Sequence, residues 1–177
     1  MAETQLKKYS VQEKLNKMDV DLIDVTVAAD VDDQGSSAAG DLLFKVTEVP
    51  NAVAVKGGSA ILQSVVMLVD DNDVGTVDLV VTSSSTDITD SSGVMATGDA
   101  LSSDGDNTLA ELQGTCGIVS ITNAKDLGVV MVGSKGNIGM VCKAASDSTS
   151  LYIWGMQQSA ADYDESSIVF RLGFIKD

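Results

Sequence analysis

From Asp19 onward, apolar and polar side chains alternate with a period of two, the spacing of a strand with one buried face. Ile23, Val25 and Val27 form the apolar face of a first strand, and residues 30–37 (DVDDQGSS) read as a loop. A second strand is predicted over Leu42–Val49, with Leu42, Phe44, Val46 and Glu48 on one face. Pro50-Asn51 breaks it, and a short extended piece, Ala52–Val55, ends at Gly57-Gly58. Ser59–Val69 is the longest apolar run, and its β-branched residues and flanking turns predict a central strand. The acidic turn Asp70-Asp71-Asn72-Asp73 with Gly75 leads into 76–82 (TVDLVVT), which is expected to complete a hairpin with it.

Residues 83–108 are rich in Ser, Thr, Asp and Gly, a length of polar chain that is often functional when it interrupts a compact domain. One short helix is predicted over 106–112 (DNTLAEL), with Asp106 as N-cap and Gly114 as its stop. Strands resume over 116–122, 127–132, 137–143, 150–156 and 168–175, with Gly133-Ser134-Lys135-Gly136 as a hairpin turn and 159–167 as a last polar loop. About nine strands joined by connections too short for crossover helices predict an all-β fold. The specific expectation is an antiparallel β-sandwich, jelly-roll-like, over residues 19–177.

Residues 1–18 follow another pattern. Ser10-Val11-Gln12-Glu13 is a capping box, followed by Leu15 and Met18, so a turn or two of helix is expected in an N-terminal arm. The arm holds four lysines against two glutamates, a net +2 that leaves −17 on the rest of a chain of net charge −15. So acidic a body repels phosphate, which argues against nucleic-acid binding. Its basic arm suits an acidic partner surface. The polar start has no apolar core of a secretory signal, and no run reaches the roughly 18 apolar residues of a membrane helix. A cytoplasmic site of synthesis and no membrane partner are therefore expected. Cys116 and Cys142 both fall in apolar strand-like stretches, which favours buried thiols and leaves a disulfide open.

The chain contains no histidine, the commonest general base and zinc ligand at neutral pH. It has no nucleophile elbow and no phosphate loop, and most carboxylates lie in turns, where Asp caps the local backbone. The Asp70–Asp73 turn fails the EF-hand register from either starting residue, and Asp99, Asp104 and Asp106 are an equally loose calcium candidate. A solvated turn is the plainer reading of both. No catalytic residue, cofactor or metal is expected. Tyr152, Trp154 and Met156 share one face of a strand. Turned outward they would form a binding strip for sugar or protein; turned inward they are core.

The stretches Gly57–Val65 (GGSAILQSV), Asn137–Val141 (NIGMV) and Ser148–Trp154 (STSLYIW) resemble virion structural proteins of marine tailed phages. The order of features is similar too, over roughly residues 20–175: apolar strand, D-D-N-D turn, long Ser/Asp loop, then the N-I-G and S-L-Y strands. The resemblance implies a non-enzymatic virion protein, made in the host cytoplasm and placed on the capsid surface as a decoration or cement protein. Its expected partners are the major capsid protein and further copies of itself, with a trimer as the expected oligomer. Lys7, Lys8, Tyr9 and Leu15 of the arm, and Trp154 of the body, are the candidate partner-binding residues. A tail, fibre or baseplate adhesin that binds host glycans is the alternative, and it requires Trp154 to be exposed.

Overall fold

A computed structural model of the chain describes residues 19–28, 38–70, 75–90, 93–101, 112–122, 124–159 and 167–176. The expected arm, and with it Lys7, Lys8, Tyr9 and Leu15, lies outside these residues, as does all but the last residue of the expected helix.

The strands are β1 (Asp19–Ala28), β2 (Leu42–Val49), β3 (Ser59–Val69), β4 (Val77–Thr82), β5 (Thr89–Asp90), β6 (Gly93–Val94), β7 (Thr115–Ile121), β8 (Lys125–Asp126), β9 (Met131–Lys143), β10 (Leu151–Gln157) and β11 (Ser167–Lys176). β1 pairs with β11, β2 with β10, β3 with β9 and β4 with β7, all antiparallel. The chain is thus a long ribbon folded back on itself. Rolling the ribbon up sets β11 against β3 and β10 against β4. Two sheets result, ordered β1-β11-β3-β9-β8 and β2-β10-β4-β7, with β5-β6 as a separate pair. This is the jelly-roll topology expected from the sequence.

The core lies between the sheets. Val25 and Val27 of β1, Leu62, Val65, Met67 and Val69 of β3, and Ile168, Phe170, Leu172 and Phe174 of β11 face Leu79 and Val81 of β4 and Leu151 and Ile153 of β10. Each side chain contributes about 1.5–3 kcal/mol by leaving water. Phe44 and Phe170 meet across the gap with ring centroids 5.3 Å apart. At the rim, the buried Lys176 ammonium donates to the Asp21 carboxylate and to the Asn51 carbonyl. That ties the end of β11 to β1 and to the turn after β2.

Four expectations are corrected. β3 and β4 do not form a hairpin: each is an interior strand of a different sheet. Gly133-Ser134-Lys135-Gly136 is not a turn but the interior of β9, opposite Met67, Val66, Val65 and Ser64. Glycine is needed at 133 because a Cβ there would lie 2.7 Å from Ile121 Cγ2 of the opposing sheet. The true reversal is between Leu127, whose N–H donates to the Val130 carbonyl, and the start of β9, with Gly128 at φ 109°. Phe44 does not share a face with Leu42 and Val46. Register shifts between β2 and β10 turn Leu43 and Phe44 together toward the core. Lastly, the polar stretch after β4 is not without structure, since β5 and β6 form a small hairpin within it.

Candidate functional site

The outer face of the four-stranded sheet carries the aromatic strip singled out in the sequence. Alternation along β10 sends Leu151 and Ile153 inward, so Trp154 and Met156 point outward, beside Leu42 of β2 and Val80 of β4. The segment that follows β4 folds over them. Ile88 and Met95 flank the β5–β6 hairpin and bury themselves against Trp154, with Leu101 and Val46 at the margin. Trp154 keeps only 6% of its surface exposed.

This lid is pinned by backbone bonds. The Met95 N–H donates to the Ile88 carbonyl at 3.0 Å, and the Leu101 N–H to the Gly40 carbonyl at 3.1 Å. Leu42 exchanges two bonds with the segment, donating to Asp99 O at 2.9 Å and accepting from Gly98 N at 2.8 Å. The Asp99 carboxylate accepts from Ala96 N at 3.0 Å, closing its own turn. The sequence does hold a signal for the lid: Ile88, Val94 and Met95 interrupt an otherwise polar run around Ser91-Ser92-Gly93. Its weakness is that isolated apolar residues show no period.

Asp99, the described member of one loose calcium candidate, is thus engaged in a turn; Asp104 and Asp106 lie outside the described residues, as do Asp71 and Asp73 of the other. Among the described residues no three His, Cys, Asp or Glu side chains converge as a metal site.

The two cysteines are free thiols that meet at the open edge between β7 and β9. Cys142 is buried and Cys116 half-buried. Cys116 sits at a register shift in the β4–β7 ladder. The Cys142 thiol donates to the Met140 carbonyl at 3.7 Å and the Cys116 thiol to the Gly114 carbonyl at 3.9 Å; once Cys116 ionises, hydrogen bonding from Cys142 to its sulfur holds the Cys116 thiol down at about 6 against the opposing effect of burial. The same contact, together with burial, pushes Cys142 up.

No protein-family model matches the chain, and no curated protein matches it. Among solved structures, a chain of Desmodium yellow mottle tymovirus is similar over 90% of this chain and 88% of that chain, at 12% identity and a TM-score of 0.26. A likeness that slight decides neither family nor function.

Proposed function

We propose that the chain is a non-enzymatic structural component of a tailed-phage virion, a decoration protein that binds the outer capsid surface and stabilises the shell. In this reading residues 19–177 are the body and residues 1–18 the docking arm, with Lys7, Lys8, Tyr9 and Leu15 as its contacts to the major capsid protein. The observation that carries it is the rolled-up ribbon of eight long strands, an architecture that recurs in capsid and lectin domains. Because one fold serves many functions, the sequence resemblance is what narrows that choice. A histidine-free, acidic chain suits a rigid part that faces water. Repetition of the shell lattice turns weak single contacts into strong attachment through avidity. The adhesin alternative loses its main support, because the lid covers Trp154.

The test is made on particles. Electron microscopy of purified virions is expected to show the body as copies on the outer shell. Deletion of residues 1–18 is expected to lower occupancy at least tenfold while the body still folds. Absence of the protein from the particle sinks the reading; full occupancy of the deletion variant sinks the role of the arm.

A further inference from the structure

β7 ends the four-stranded sheet, and β9 beyond Val132 is held on one side only, by β3, because the β8 ladder reaches no further than Val132. The two strands pass each other antiparallel across the gap between the sheets. At one end a Cβ on Gly133 would lie 2.7 Å from Ile121 Cγ2; further along, a Cβ on Gly117 would lie 2.6 Å from Met140 Cε. As the residue number rises on β9 it falls on β7, and the same course brings Cys116 to Cys142. Cys142 closes the inward row Ile138, Met140, Cys142 of β9 and is fully buried. Cys116 lies at the register shift of β7 on β4, where Thr115 pairs with Thr82 and Gly117 with Val81, so Cys116 has no Cα partner in that ladder. A bulge re-aims the side chain it leaves over. Here it aims at β9, where the Lys143 N–H and the Cys142 thiol both reach the Cys116 sulfur. Both thiols are free, and they are the chain's two cysteines.

We propose that Cys116 and Cys142 form a reversible redox clip, oxidised to an intramolecular disulfide by a small-molecule disulfide such as oxidised glutathione. In the first step the Cys116 thiolate attacks one sulfur of the small disulfide. That S–S bond breaks, a new one forms to Cys116, and a small thiolate leaves and takes a proton from water. In the second step the Cys142 sulfur attacks Cys116. The bond from Cys116 to the small thiol breaks, and the Cys142 proton goes to the second small thiolate. The two protein thiols lose two electrons and two protons, and the small disulfide becomes two thiols. Surroundings assign the roles: half-buried Cys116 is open to solvent and ionises first, whereas buried Cys142 is reached from Cys116. The closed bond ties β7 to β9 across a gap that, among the described residues, no strand ladder spans. It also encloses residues 116–142, which removes conformations from the unfolded chain. The inference does not rest on the proposed function.

The test treats the full chain at neutral pH with oxidised glutathione and reads intact mass and non-reducing peptide maps. The wild-type chain is expected to lose two hydrogen atoms and to yield one cross-linked peptide pair joining Cys116 to Cys142. Closure is expected to be at least tenfold faster than in the same chain unfolded in urea. Oxidation is expected to raise the melting midpoint by about 10 °C, and dithiothreitol to reverse the rise. In Cys142→Ala the first step has no second, so a glutathione adduct is expected to accumulate on Cys116. Folded Cys116→Ala is expected to form neither species. Should a variant fail to fold, the wild-type rates and melting midpoints decide alone. The proposal is overturned by a wild-type chain that stays reduced, or that carries only a glutathione adduct or only disulfide-linked dimers. Closure no faster in the folded chain than in urea overturns it too, as does a melting midpoint that oxidation leaves unchanged.

Discussion

Cys116 gives the clearest case of one residue set by its surroundings. Its thiolate accepts the Cys142 S–H, so it ionises at about 6 instead of the ordinary 9.0. A folded value below the unfolded one means that this contact stabilises the fold fully above the unfolded value. That contribution falls away as pH drops through about 6. Cys142 acts in the opposite sense, since a raised folded value costs stability only where the unfolded thiol would ionise. Reactivity separates the two more sharply than stability, because the thiolate is the nucleophile. Iodoacetamide is expected to label Cys116 well ahead of Cys142 at pH 7, with a rate that rises through about pH 6. Cys142→Ala is expected to move that rise toward ordinary thiol values. Equal labelling of both cysteines in mass spectrometry, or a pH profile indifferent to Cys142→Ala, would refute the pairing. The sequence placed both cysteines in apolar strands; that they meet depends on how the two sheet edges close, which no local pattern encodes. Phe44 teaches the same at one position. Alternation put it beside Leu42, but the bulge turned it inward over Gly155, where a Cβ would sit 2.7 Å from Phe44 Cδ1.

At the scale of elements, alternation was readable wherever a strand buries one face without interruption. β2, β3 and β11 begin and end within about a residue of their expected limits, and Ile23, Val25 and Val27 do face the core. Pairing was not readable, because a strand's neighbours depend on the whole roll and not on its own residues. Hence the Asp70–Asp73 turn looked like a hairpin although β3 and β4 belong to different sheets. Gly133 and Gly136 looked like punctuation, although a close approach from the opposing sheet explains the first. The lid was hidden for a third reason: two or three apolar side chains suffice to hold it, and the rest of it is polar. That economy makes it testable. Trp154 is the chain's single tryptophan, so its fluorescence reports the lid alone. Ile88→Ser together with Met95→Ser is expected to shift its emission to the red and increase quenching by acrylamide. Each substitution should cost about 1–3 kcal/mol of stability to urea. The far-ultraviolet dichroism of the two sheets should persist. An unshifted emission maximum would mean that the lid does not shield the indole.

For the whole molecule, the decisive feature is how the two halves of the chain interleave. In one sheet β1 and β3 are separated by β11, and β3 lies between β11 and β9; in the other, β2 and β4 are separated by β10. No two of the four long strands before residue 101 are neighbours. The first half therefore forms no sheet by itself except the two-residue β5–β6 pair. Every long ladder must wait for a strand from the second half, and Asp19 must find Lys176 across nearly the entire body. Loop-closure entropy is lost before these contacts form, so refolding is expected in milliseconds to seconds, as for other folds dominated by non-local pairing. Unfolding should be a single transition, since neither sheet keeps its order without both halves. β11 is the sharpest probe. It lies between β1 and β3 and supplies Ile168, Phe170, Leu172 and Phe174 to the core, so a chain ending at Ser166 leaves β1 with no ladder and the core without its largest row. That truncation is expected to abolish the cooperative melt in calorimetry. Removing residues 1–18 should leave the melt in place, because β1 begins at Asp19 with its full register on β11. A cooperative transition in the truncated chain would show that the sheets stand without their interleaving, and the account of the fold as one rolled ribbon would fail with it.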